Sequence, residues 1–154
     1  MGWRPTGSGG SATQYAAVIR AITDQSISAA TLTEVDFGAT ISDEGSVADL
    51  ANNGFTVPSG AGGIWLVNAV ISYEDTVGAD TRISYAVNDV TTHPFAVRLL
   101  ETQANFGQKA GAVRPLDLSV GDTVTVDIYF QQAGNTRGGA SLSGVDTWAA
   151  MWRA

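Results

Sequence analysis

The sequence predicts an all-β protein, an antiparallel sandwich or jelly roll, on three observations. About eight to ten short apolar or alternating runs follow one another, separated by Gly, Asn, Asp and Pro turn chemistry. Eighteen glycines are spread over the 154 residues, a usage that suits turns and short strands. The clearest runs repeat every second residue, and none sustains a long helical period.

The stretch Gly54 to Tyr73 organises the rest. Phe55-Thr56-Val57 forms a short strand that runs into Pro58 and a turn, Ser59-Gly60-Ala61-Gly62-Gly63. Glycine there admits positive φ and close backbone packing. The longest apolar run follows, Ile64 to Ile71, broken only by Asn68. It predicts a central strand buried on both faces.

The other elements are laid around it. Gly2 to Ser11 is a Gly/Ser-rich arm carrying Trp3, Arg4 and Pro5, too glycine-rich to fold by itself. Tyr15 to Ile22 fits a short helix or a strand equally. Thr31 to Ile41 predicts one half-buried strand, because Thr33, Val35, Phe37 and Ala39 alternate with Glu34 and Asp36. Ser42 to Asn53 reads as a loop. Thr81 to Val87 alternates and ends at a tight turn, Asn88-Asp89. Phe95 to Leu100 predicts a strand with Pro94 at its start, where a missing N–H does least harm. Ala104 to Gly111 reads as a loop. Leu116, Leu118 and Val120 precede a Gly121-Asp122 turn, after which Val124, Val126, Ile128 and Phe130 give the best period of two. Gln131 to Gly139 is a polar turn, and Ala140 to Leu142 a short edge strand. Thr147 to Arg153 closes the chain, with Trp148, Ala150 and Trp152 on one face and Ala149, Met151 and Arg153 on the other. The expected core contains Phe55, Trp65, Val67, Val124, Val126, Ile128 and Trp148.

Composition excludes several functions. With 44% hydrophobic and 15% charged residues, a packed core is feasible and charge is sparse. The net charge of -7 and scattered Lys and Arg argue against nucleic acid, which needs clustered cations. Without cysteine there is no disulfide framework or thiolate metal site. No run approaches the roughly 20 apolar residues of a membrane span. MGWRPTGSGG lacks the apolar core of a secretory signal, so export by that route is not expected.

Catalytic patterns are weak. His93 is the only histidine. It falls in a turn before a strand, with no G-x-S-x-G nucleophile to serve. Asp43-Glu44 and Glu74-Asp75 read as solvated turns, since paired carboxylates hydrolyse glycosides only at a set separation across a cleft. Asp75, Asp80 and Asp122 offer hard oxygen ligands without calcium-site spacing. Gly60-Ala61-Gly62-Gly63 lacks the GK[ST] ending of a phosphate loop. No enzyme activity, metal or cofactor is therefore expected.

Three segments in order resemble a known family. Gly54-Phe55-Thr56-Val57-Pro58 followed by Gly63-Ile64-Trp65, then Leu116 to Val126 with its Gly121-Asp122 turn, then Thr147-Trp148-Ala149-Ala150-Met151 resemble the complement-type globular head of the tumour-necrosis-factor-like jelly rolls. The resemblance covers Leu32 to Arg153. It departs at Ala150, where the family has glycine, and no collagen-like repeat precedes it. The ending SGVDTWAAMWRA looks more like jelly rolls of tailed-bacteriophage virion proteins.

The resemblance implies a jelly-roll homotrimer. It divides the chain into an arm and connecting segment over 1–31 and a jelly roll over 32–154. Met151 and Trp152 are expected at the trimer interface, because the last strand carries large apolar residues of both parities. Two functions follow. The first is a capsid decoration (cement) protein on the outer surface of a tailed-phage virion, whose Trp3, Arg4 and Pro5 arm docks on the major capsid protein. The second is a tail-tip or fibre head that binds a host-surface receptor. The short segment ahead of the jelly roll favours decoration over a shafted fibre.

Overall fold

The computed structural model describes residues 14–73, 80–96, 108–139 and 147–154. These residues form thirteen strands and one short 3-10 turn. The strands are β1 (Ala16–Arg20), β2 (Gln25–Ile27), β3 (Leu32–Glu34), β4 (Ala39–Glu44), β5 (Ala48–Asp49), β6 (Gly54–Thr56), β7 (Gly63–Tyr73), β8 (Thr81–Val87), β9 (Val90–Ala96), β10 (Gln108–Leu118), β11 (Thr123–Phe130), β12 (Gly134–Thr136) and β13 (Trp148–Arg153). The larger sheet runs β2-β12-β7-β13-β1-β4, with β10 on the free side of β7. The smaller runs β5-β6-β11-β8-β9, with β3 also on β11. All the pairings are antiparallel, so the two sheets make a jelly-roll sandwich.

The core lies between the sheets. β7 contributes Trp65, Val67, Ala69 and Ile71, and β11 contributes Val124, Val126, Ile128 and Phe130, all fully buried. Trp65 satisfies its indole N–H by donating to the Ala61 carbonyl at 2.9 Å, so its burial leaves no polar atom unpaired. Phe55, Ile83 and Tyr85 close the core from the smaller sheet.

Several expectations are corrected. Tyr15 to Ile22 resolves as a strand, β1, which inserts between β13 and β4 and buries Ala17 and Ile19. The boundary expected at Leu32 thus falls inside the fold: β1 and β2 already belong to the larger sheet. The single strand expected over Thr31 to Ile41 is two, β3 on the smaller sheet and β4 on the larger. Val35 and Phe37 stay buried while the chain crosses between sheets, so the alternation survives the change of sheet. Gly38 permits that crossing, because a Cβ there would lie among the atoms of the Ile22 side chain. The loop expected over Ser42 to Asn53 contains the end of β4, β5 and the turn Leu50–Asn52.

β7 is buried on one face only over Ile64 to Ile71, and on both at Ser72. Trp65, Val67, Ala69 and Ile71 face the core, while Leu66, Asn68 and Val70 are half-buried and Ile64 is 48% exposed. β9 begins at Val90 and holds Pro94 in its interior. It is the last strand of its sheet, with β8 on one side only, which is where a missing N–H is tolerated. β10 begins within the expected 104–111 loop and carries Pro115 on the side of β7 away from β13. β12 forms within the expected Gln131 to Gly139 turn. Asn88 and Asp89 both have positive φ, 51° and 63°, the signature of a type I′ hairpin turn. The edge strand expected at 140–142 lies outside the described residues.

Candidate functional site

The last strand inverts one expectation and divides another. Met151 faces inward and is fully buried among Ala17 and Val67, its register partners. A side chain buried inside one protomer has no surface to offer a second, so Met151 is a core residue rather than an interface residue. Trp148 was expected in the core but has the opposite parity and is only half-buried, opposite Val70. Trp152 shares that outward face, opposite Leu66 and Ala16. The other expected core residues, Phe55, Trp65, Val67, Val124, Val126 and Ile128, all sit in the central cluster. Trp3, Arg4 and Pro5 lie outside the described residues.

The outward face of the larger sheet is apolar across its middle. One register row crosses five strands as Ser42, Val18, Ala150, Asn68 and Val113. The adjoining row runs Glu44, Ala16, Trp152, Leu66 and Pro115, and the row on the other side pairs Arg20, Trp148, Val70 and Gly111. Among the side chains described on this face, the charged ones lie at its rim: Glu44 on β4, Arg20 on β1 and Asp117 at the end of β10. Val113 is 63% exposed and Ile64 48%. A continuous apolar patch rimmed by polar groups marks an interaction surface.

The smaller sheet presents the opposite chemistry. Its outward face holds a cleft of about 200 Å³ walled by Leu32 and Ala86 and lined by Glu34, Asp89, Thr91, Thr125 and Asp127. Asp127 pairs with Glu34 across β3 and β11 and is only 8% exposed. Burial raises its carboxyl above the ordinary carboxylate range, and the facing Glu34 raises it further, against a lowering hydrogen bond donated by the Thr91 hydroxyl. Nothing in the sequence singled out this cleft. Its carboxylates come from β3, β11 and the β8–β9 turn, and only the placing of Asp127 on a polar parity of β11 hinted that it faces outward.

The other acidic candidates close turns. One Asp122 carboxylate oxygen accepts the Ser119 N–H at 2.8 Å and the other accepts from the Asn88 amide at 2.8 Å. Asp43 accepts the Val47 N–H at 2.7 Å. Asp80 pairs with Arg82. Asp49 accepts from Thr56 at 2.6 Å and from Asn52, which holds its carboxyl below the ordinary range. His93 lies within β9 opposite Tyr85 rather than in a turn. Glu74 and Asp75 lie outside the described residues. Among the described residues, no group of three or more His, Cys, Asp or Glu is placed to hold a metal, and no helix is long and apolar enough to cross a membrane.

Comparison with known proteins bears on the fold. The chain superposes on the crystal structure of murine APRIL at pH 8.0 with a TM-score of 0.64 and 16% identity, covering 92% of this chain and 99% of that one. Eiger TNF from S. frugiperda gives 0.62 at 13% identity, covering 93% and 94%. Both are tumour-necrosis-factor-family jelly rolls, and the protein has that jelly-roll fold. No protein-family model matches the chain, and no curated protein matches it in sequence.

Proposed function

We propose that this protein is a non-catalytic structural module that self-associates as a homotrimer through the outward face of its larger sheet. The observation that carries the reading is the charge-free middle of that face, with Trp148, Trp152, Leu66, Val70, Ile64 and Val113 around it. Copies carrying a net charge of -7 repel one another, and contact through an uncharged patch keeps their rim charges apart. The jelly-roll fold supports the same arrangement through the family resemblance.

Within that class, the ending SGVDTWAAMWRA and the glycine-rich arm favour a capsid decoration protein on the outer surface of a tailed-phage virion. In this reading the arm from Gly2 to Ser11 docks on the major capsid protein, with Trp3 as its anchor. Co-sedimentation with undecorated capsids tests it. The full chain is expected to bind as a trimer and the chain lacking residues 2–11 to stay trimeric but unbound. Full-strength binding by the truncated chain would remove the arm from the account, and no binding by the intact chain would remove decoration.

One observation favours a second reading, a trimeric tail-tip or fibre head that binds a host-surface receptor. The polar cleft lined by Glu34, Thr91, Thr125 and Asp127 lies on the sheet that trimerisation leaves free. Hydroxyl and carboxylate groups in a concave site suit a glycan, and glycan-array binding lost in Thr125→Val would favour this reading over decoration.

A further inference from the structure

One amide sits in the middle of the apolar face. Asn68 is the only interruption of the Ile64 to Ile71 run. It faces outward between Leu66 and Val70 on its own strand, opposite Ala150 on β13 and Val113 on β10. Among the described residues its side-chain amide meets no hydrogen-bond partner. In the separate protomer that amide is half-buried and water can serve it. Once another surface covers the face, an unpaired amide costs about 1–3 kcal/mol. The occupant therefore has to bring a donor and an acceptor to this point in the middle of a mostly apolar surface.

A second copy of this chain brings both. An amide carries a donor and an acceptor, so identical amides related by rotation satisfy one another, each donating to the next. A single buried asparagine is also the best-attested device for fixing register and copy number in an apolar interface. We propose that Asn68 sets the register and copy number of the assembly, the Asn68 amides of three copies meeting at the threefold axis in a closed ring of hydrogen bonds. This rests on the homotrimeric reading above. The same face closed by apolar contacts alone tolerates sliding, because Leu, Val and Trp contacts have no fixed direction.

The test uses the full chain with Asn68→Leu and Asn68→Asp, read by native mass spectrometry and light scattering over a dilution series. Circular dichroism checks that each variant folds, as a half-exposed position should allow. The wild type is expected as a single trimer. Asn68→Leu is expected to associate at least as tightly but to spread over dimers, trimers and larger species. Asn68→Asp is expected to dissociate at concentrations at least 100-fold higher than the wild type at pH 8. It should recover the trimer near pH 4, where carboxyls crowded in an apolar site take up protons. A wild-type trimer with Asn68→Asp unchanged at pH 8, or with Asn68→Leu still a single trimer, overturns the role of Asn68 and leaves the trimer standing. A monomeric wild type overturns both.

Discussion

Replacing Val113 measures what the outward face contributes to assembly. The side chain stands on β10 beside Asn68 and is 63% exposed in the protomer. Fully burying a valine is worth about 1.5–3 kcal/mol, so covering the exposed part contributes roughly 1–2 kcal/mol per copy. Alanine retains part of that, leaving a loss of about 1 kcal/mol per copy, or about 3 kcal/mol for three copies. At 1.4 kcal/mol per decade, Val113→Ala should raise the trimer dissociation constant roughly 100-fold. Val113→Asp places an unpaired carboxylate in the same contact, which costs several kcal/mol more, and should be monomeric at micromolar concentration. Neither change should move protomer stability by more than about 1 kcal/mol, the span of strand propensity at an exposed site. Size exclusion with light scattering over a dilution series gives the constants, and urea unfolding gives the control. If Val113→Asp elutes as a trimer at the wild-type concentration with unchanged stability, the outward face is not the interface.

Three further results are expected. Met151→Asp buries a carboxylate in the core beside Ala17 and Val67, so the chain should fail to fold rather than merely dissociate; a folded monomer by circular dichroism would show that Met151 is not a core residue. Gly54→Ala drives a methyl group into the Val124 carbonyl oxygen of the paired strand, and should lower stability by about 3 kcal/mol or more in urea unfolding. Because folding raises the Asp127 carboxyl above its ordinary range, the native state holds the proton where the unfolded state has lost it. Asp127 therefore destabilises the fold above its raised pKa, and stability should grow as pH falls through that pKa toward the ordinary carboxylate value. Asp127→Asn should be more stable than the wild type at neutral pH, with the gap closing toward pH 4; equal urea midpoints for both proteins at pH 7 would contradict this.

The sequence made the fold class legible through period and punctuation, and the errors share one physical cause. A period of two separates two faces of a strand but does not say which face meets the core. In β13 the outward parity carries Trp148 and Trp152, while the inward parity carries Met151 and the small Ala149. Side-chain size thus pointed the wrong way for Trp148, and only the pairing with β1 and β7 decides the matter. The same limit hid the crossing between β3 and β4, where Val35 and Phe37 keep alternating through the gap between sheets. β1 was ambiguous because Ala, Val and Ile suit either state, and its two neighbours come from distant parts of the chain. The cleft of Glu34 and Asp127 was invisible for that reason too. Asn68, by contrast, was visible as the one break in the longest apolar run. Its meaning needed the structure, which puts the break on the outward face.

The two outward faces differ in their chemistry. The smaller sheet turns Ser84, Thr125 and Asp127 away from the core and gathers the facing Glu34 with them. The larger sheet turns Trp148, Trp152, Leu66 and Val70 outward and keeps charge at its rim. Covering the smaller sheet would strip the remaining water from Glu34 and from Asp127, already only 8% exposed, with no cation among the residues lining their cleft to offset the cost. Covering the larger sheet desolvates no charge in its middle; its polar groups there are the Asn68 amide and the indole N–H groups of Trp148 and Trp152. The cheaper burial is therefore the apolar one, and it leaves the acidic cleft on the outside of any closed assembly.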